Sequence, residues 1–174
     1  MLVSVLGMLL LVATAFAAST DNDPQTNDIV IEEIATLGIE DGSPQMTVTT
    51  PATPGDLPPQ QTVSATYLQY TTNVEGTKTR ALKAALASDT ATEYSLFLTA
   101  GAPNGSGTGT KGTSAGELDM STSNDDALTG IESCNTGAVS GDGSEITYRL
   151  ECTAVPKYDA DVTHTITFTL DDDA

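Results

Sequence analysis

Short apolar and β-branched runs, separated by Gly, Pro, Asp and Asn, recur along most of the chain. Such runs are typical of β-strands joined by turns. They predict strands over Ile29–Ile39, Gln45–Thr50, Gln61–Thr72, Glu93–Ala100, Ser144–Ala154 and Val162–Leu170.

Two of these runs alternate with a period of two residues. In Val162–Leu170, Thr occupies every second position, between apolar residues and His164. Ser144–Ala154 alternates in the same way and places Ile146 and Cys152 on its apolar face. Successive side chains of a strand point to opposite faces, so each run predicts one buried and one solvated face.

Three further segments complete the predicted organisation. Lys78–Ser88 is rich in good helix formers, but it also alternates and lies between predicted strands, which favours a strand. Pro51–Gln60 contains four prolines and predicts a stiff extended connection. Gly101–Gly116 predicts a long Gly/Ser/Thr surface loop. We therefore expect an all-β, antiparallel sandwich of seven or eight strands, forming one domain over residues 29–174.

The N-terminal residues predict export. Residues 2–18 are apolar or small, and Ala15-Phe16-Ala17 matches an A-x-A cleavage site, so residues 1–17 are expected to be a signal peptide. A flexible acidic leader is expected over residues 18–28. The expected location is secreted, extracellular or at the cell surface, with no membrane span after cleavage.

The charge balance restricts the partners. Six basic and 24 acidic residues give a formal net charge of −18. Such a chain repels nucleic acid and anionic membranes. Structural calcium is left open, with candidate oxygen ligands in Asp21–Asp28 and Ser140–Glu145, although neither segment matches the EF-hand loop.

The two cysteines, Cys134 and Cys152, are expected to form a disulfide. A Gly/Ser/Asp-rich turn separates them, which predicts a hairpin, and an exported chain meets an oxidising compartment. A zinc site needs about four ligands, which two cysteines and one distant histidine do not supply. A redox pair needs C-x-x-C spacing, which is absent.

Short matches to catalytic motifs lack their structural context. Gly112–Gly116 reads G-T-S-A-G, but a nucleophile elbow requires an apolar strand before it and a helix after it. His164, the single histidine, would have to serve as the base for Ser114. Gly107–Gly112 matches G-x-G-x-x-G without a helix pattern after it. We therefore expect no enzymatic activity, no cofactor and no catalytic residue.

The order of segments from Tyr67 to Asp173 resembles a family of small secreted bacterial β-sandwich proteins with no assigned activity. The resemblance is carried by "YLQYTT", "EYSLFLTAG", "LTGIESCNTG", "SEITYRLE" and "HTITFTLDDDA". The second cysteine, Cys152, departs from the family pattern. In outline the chain is similar to immunoglobulin-like, pilin and spore-coat-like subunits, in some of which a sandwich accepts a strand from its neighbour.

These observations predict a non-enzymatic secreted or cell-surface protein with a structural or adhesive role, and suggest a subunit of a fibre or extracellular matrix. Its partners would be copies of itself, through strand pairing, or other surface proteins. Asp28–Ile39 could pair with the open edge of another subunit, although a first strand paired within its own chain is the simpler arrangement. The alternative is an extracellular calcium- or small-ligand-binding module.

Overall fold

A computed structural model describes residues 29–40, 42, 44–157 and 162–173 of the chain. The predicted signal peptide, residues 1–17, and the predicted leader, residues 18–28, lie outside the described residues. Within them the chain is all-β and its strands pair antiparallel, with no helix. The predicted fold class is thereby confirmed, whereas the sandwich arrangement stays a prediction.

Nine strands are present in the described residues: β1 (Ala35–Ile39), β2 (Gln61–Thr72), β3 (Arg80–Leu86), β4 (Tyr94–Ala100), β5 (Gly109–Ser114), β6 (Glu117–Asp119), β7 (Asp125–Asn135), β8 (Ser144–Cys152) and β9 (Ile166–Asp172). Their order in the sheet is β6-β4-β8-β2-β7-β3-β9. In addition, β1 pairs with β2, and β5 pairs with β7.

Several strands lie end to end along a shared edge. On one edge of β2, Leu68 is opposite Ser144 of β8, and Thr72 is opposite Cys134 of β7. The chain therefore leaves β7, makes an excursion over residues 136–143 and continues as β8 along the same neighbour. Residues 73–79 form a similar excursion between β2 and β3, and residues 101–108 form one between β4 and β5.

One apolar cluster draws side chains from β2, β3, β4, β7 and β8. Among its large and fully buried members are Leu68, Leu82, Leu98, Leu128, Ile131 and Ile146. The alternation that the sequence predicts for Ser144–Ala154 is seen in β8, where every second residue from Ser144 to Cys152 is buried. Burial of this apolar surface is the main stabilising contribution to the fold.

Some strand predictions are confirmed and others are wrong. Lys78–Ser88 contains β3, as its alternation predicts. Gln45–Thr50 forms no strand, and of its two apolar side chains Met46 is half-buried while Val48 is exposed. The predicted strand at Ile29–Ile39 is confined to β1, and the predicted loop Gly101–Gly116 contains β5. Composition thus predicted a strand where none forms and a loop where β5 forms. Pairing with a neighbouring strand decides whether such a segment becomes a strand.

Candidate functional site

The edge of β2 that carries β1 is the candidate functional site. β1 pairs with residues Leu68–Thr72, with Ala35 opposite Thr72 and Ile39 opposite Leu68. The first strand is thus paired within its own chain, which was the simpler of the two arrangements that the sequence left open. Its central Leu37 is half-buried against the core, and its other residues are exposed. β1 therefore contributes little apolar burial and is held mainly by polar contacts.

Asn73 fixes the backbone that enters β1. Its Oδ1 accepts a hydrogen bond from Ile34 N at 2.6 Å, and its Nδ2 donates to Glu32 O at 2.8 Å. The Asn73 backbone N–H also donates to Ile34 O at 3.0 Å. Because Asn73 follows β2 directly, its side chain extends the hydrogen bonding beyond β1, to Ile34 and Glu32. We call Glu32–Glu40 the strap.

Arg80 provides an ionic anchor for the same segment. Its side chain is 7% exposed and forms ion pairs with Glu33 of the strap and Asp172 of β9. Its Nε lies 3.6 Å from Asp172 Oδ1 and has no hydrogen-bond partner among the described residues. A buried guanidinium is costly unless it is paired, so removing Glu33 would leave much of this charge uncompensated.

Glu40 closes the other end of the strap. Its backbone N–H donates to Tyr67 O at 2.9 Å, and its backbone oxygen accepts a hydrogen bond from the Thr66 hydroxyl. Its carboxylate accepts hydrogen bonds from Gly141 N at 3.2 Å and from Gln69 Nε2 at 3.0 Å. The strap is therefore held at both ends and in the middle by groups that the remainder of the fold places in position.

Apolar side chains stand exposed before and within the strap. Ile29, Val30 and Ile31 are 83%, 84% and 79% exposed, and Ile34 and Ile39 are about half exposed. Three consecutive exposed aliphatic residues, as at 29–31, often mark an interaction surface. Among the described residues β1 pairs with β2 alone, and the free edge of such a strand can pair with another strand.

The predicted disulfide between Cys134 and Cys152 is wrong for this structure, in which both are free and buried. Cys134 lies opposite Thr72, whereas Cys152 lies two residues beyond Leu150, which is opposite Gln61 at the far end of β2. At about 3.3 Å per residue, this separation along β2 is roughly 40 Å. A disulfide requires Cα atoms within about 7 Å. The error arose because the excursion over residues 136–143 leads from β7 into β8 along the same edge of β2, instead of turning back as a hairpin.

Burial raises the pKa of the Cys134 thiol above its usual value, and the same cause raises the pKa of Cys152. Desolvation disfavours the thiolate, which is the reactive form of cysteine. Both thiols are buried and their thiolate forms are disfavoured, so the structure gives no support to a reactive cysteine pair.

Ser114 and His164 form hydrogen bonds with other residues and not with each other. Ser114 ends β5, and its hydroxyl accepts a hydrogen bond from Gly116 N at 3.2 Å. His164 Nε2 lies 2.7 Å from Tyr94 Oη, and its Nδ1 is buried without a hydrogen-bond partner among the described residues. A Ser-His pair requires a direct hydrogen bond between the two side chains, so this geometry gives no support to a hydrolase.

The excursions 101–108 and 136–143 interlock through Asp142. Its carboxylate accepts hydrogen bonds from Ser106 Oγ at 2.8 Å, Ser106 N at 3.3 Å and Val139 N at 3.3 Å. The Ser106 hydroxyl is the main reason that the pKa of Asp142 is lowered. In the described part of the chain no group of three or more His, Cys, Asp or Glu side chains could hold a metal. Asp142 is instead accounted for by the loops that it joins.

Comparison of the chain with protein-family models, curated proteins and solved structures found no match. The resemblance to small secreted bacterial β-sandwich proteins therefore stays a prediction. No helix in the described ranges is long and apolar enough to cross a membrane.

The sequence points to Asp28–Ile39, which overlaps most of the strap, but not to Asn73 and Arg80, which hold its N-terminal part. Asn73 looks like an ordinary residue at a strand end, and Arg80 lies in a run of helix formers. Their roles depend on partners about 40 and 47 residues away in sequence, which no local pattern reveals.

Proposed function

We propose that this protein is a non-enzymatic, secreted or cell-surface structural or adhesive protein that associates with copies of itself. The observation that carries the proposal is the weakly buried edge strand β1, preceded by exposed aliphatic residues. An edge strand offers unpaired backbone groups to a partner, and the aliphatic side chains add apolar surface that association can remove from water.

Other edge strands of the sheet also support self-association. Within the described residues, β5, β6 and β9 each pair with a single strand. The sheet therefore has several open edges, as a subunit needs if it is to contact more than one neighbour. Contacts between different surfaces of successive copies generate rings or open filaments, depending on whether the rotation closes.

The test is the solution mass of the mature chain, from Ala18 onward, measured by light scattering over a concentration series at low and high salt. We expect the mass to grow with concentration, and to grow more at high salt, because the formal charge of −18 opposes association until it is screened. A strict monomer under every condition would contradict self-association and would favour a binding or adhesive role towards a different molecule.

A further inference from the structure

We propose that the strap is exchangeable, so that Glu32–Glu40 of one chain occupies the β2 edge of a second chain. The inference rests on the proposed self-association and specifies the surface that carries it. The occupant is known from the structure itself, because the strap already lies on this edge within one chain. A second copy therefore presents a segment whose hydrogen-bonding groups match the β2 edge residue by residue.

The β2 edge is built to receive one particular segment. Beyond the backbone ladder, Asn73 hydrogen-bonds both Ile34 and Glu32, and Arg80 pairs with Glu33. An edge without the strap would leave the Arg80 side chain with Asp172 as its remaining ionic partner among the described residues. Such a buried cation favours the return of an acidic segment, whichever chain supplies it.

The connection between the strap and β2 is long enough for exchange. Residues 41–60 join Glu40 to Gln61, and the described residues among them form no strand. At about 3.3–3.6 Å per residue, twenty residues can span roughly 65–70 Å when extended. The prolines at 51, 54, 58 and 59 restrict the backbone of this connection.

Exchange replaces each contact of the strap by the same contact between chains. The interactions of the strap itself are therefore similar in the monomer and in the exchanged assembly, and the balance depends on concentration and on the connection. If each chain gives its strap to the next and receives one from the previous chain, the assembly is open-ended; a reciprocal exchange gives a closed dimer.

A crossed disulfide tests the exchange directly. Thr36 of β1 lies opposite Thr71 of β2, and both side chains are exposed, so cysteines at these positions are placed for a cross-strand disulfide. Thr36→Cys in one chain is mixed with Thr71→Cys in a second chain that carries a different mass tag. The mixture is incubated under mild oxidation at a concentration where the wild type associates. The native cysteines are buried and compete poorly.

We expect a covalent heterodimer of the two tagged chains, at least tenfold above the amount from a control mixture of Thr36→Cys with Thr167→Cys. Thr167 is exposed on β9, away from the β2 edge. Equal yields in both mixtures, or no heterodimer while the wild type associates, would overturn the exchange and leave the proposed function standing.

The double variant Thr36→Cys/Thr71→Cys provides a second, independent readout. Once oxidised within one chain, it locks the strap onto its own β2 edge. We expect the locked protein to stay monomeric and to regain concentration-dependent association after reduction with dithiothreitol. A locked protein that associates as the wild type does would overturn the exchange. A wild type that never associates and yields no heterodimer would overturn both the exchange and the proposed self-association.

Discussion

Strands β8 and β9 carry the same kind of alternating sequence and yet have different environments. In β8 every second residue is buried, and Ile146 is fully enclosed. In β9 the apolar residues Ile166, Phe168 and Leu170 reach only partial burial, and the positions between them are exposed. β8 has β2 on one edge and β4 on the other, whereas β9 pairs only with β3 in the described part of the chain.

The difference shows that a period of two identifies the inward face of a strand but does not determine how deeply that face is buried. Depth depends on neighbours, and a strand with partners on both edges is surrounded by side chains that an edge strand lacks. The same difference in burial distinguishes the centre of the sheet from its edges. Strands with few buried contacts open at lower free-energy cost than central strands.

The largest expected effect is that of shortening one isoleucine in each strand. Ile146→Ala in β8 removes a fully enclosed side chain and should lower the free energy of unfolding by about 4 kcal/mol. Ile166→Ala in β9 makes the same chemical change at a half-buried position and should cost about 1.5 kcal/mol. Urea unfolding of both variants measures the difference. Equal losses would contradict the distinction between centre and edge.

Much of the strand pattern could be predicted from the sequence because alternation and β-branched residues reflect a half-buried surface. β2, β4 and β8 lie within predicted strands, and β3 was identified in spite of its helix-forming residues. β9 overlaps the predicted strand Val162–Leu170 but begins at Ile166 and ends at Asp172. β5 was missed because glycine-rich segments seldom form strands, and here the neighbouring β7 supplies the pairing. Local composition contains no information about such a distant partner.

The end-to-end arrangement of β7 and β8 could not be predicted for a similar reason. A Gly- and Asp-rich stretch between two strands usually indicates a hairpin, and that assumption led to the disulfide prediction. Here the stretch is an excursion whose partners, such as Ser106, come from another loop. The candidate site depends on the same kind of distant pairing, since Arg80 meets Glu33 across 47 residues.

Two glycines before β8 test how closely the start of this strand approaches β2. Gly143 has φ of +106°, and a Cβ added there would lie 2.1 Å from the carbonyl oxygen of Leu68. Gly141 has φ of +86° but open space around its Cβ position, so it is the matched control. Gly141→Ala should cost about 1–2 kcal/mol from backbone strain alone. Gly143→Ala must also displace β2 and should cost about 2 kcal/mol more.

Chemical denaturation of the two glycine variants measures this difference. A Gly143→Ala protein as stable as Gly141→Ala would show that β2 and the start of β8 do not approach as closely as described. A protein that fails to fold with Gly143→Ala, while Gly141→Ala folds, would agree with the expected direction.

The smallest expected effect is the difference between two Asp→Asn substitutions, one before β8 and one in β9. Asp142, before β8, is buried and accepts hydrogen bonds from Ser106 and Val139. Asp171, in β9, is exposed and lies 3.4 Å from Lys83 Nζ. Asp142→Asn should lower Tm by about 3–6 °C at neutral pH, whereas Asp171→Asn should change it by about 1 °C or less, because exposed ion pairs contribute little.

The pH dependence of the Tm difference between wild type and Asp142→Asn shows whether the charge of Asp142 causes it. The hydrogen bond from Ser106 lowers the pKa of Asp142 in the folded protein, below the value of about 3.9 expected when unfolded. The stabilisation is therefore complete above pH 4 and is lost as the pH falls through the lowered pKa, where the folded carboxylate takes up a proton. The Tm gap between wild type and Asp142→Asn should be constant from pH 5 to 7 and narrow below about pH 4. A gap that stays constant down to pH 2 would mean that Asp142 acts through its shape and not through its charge.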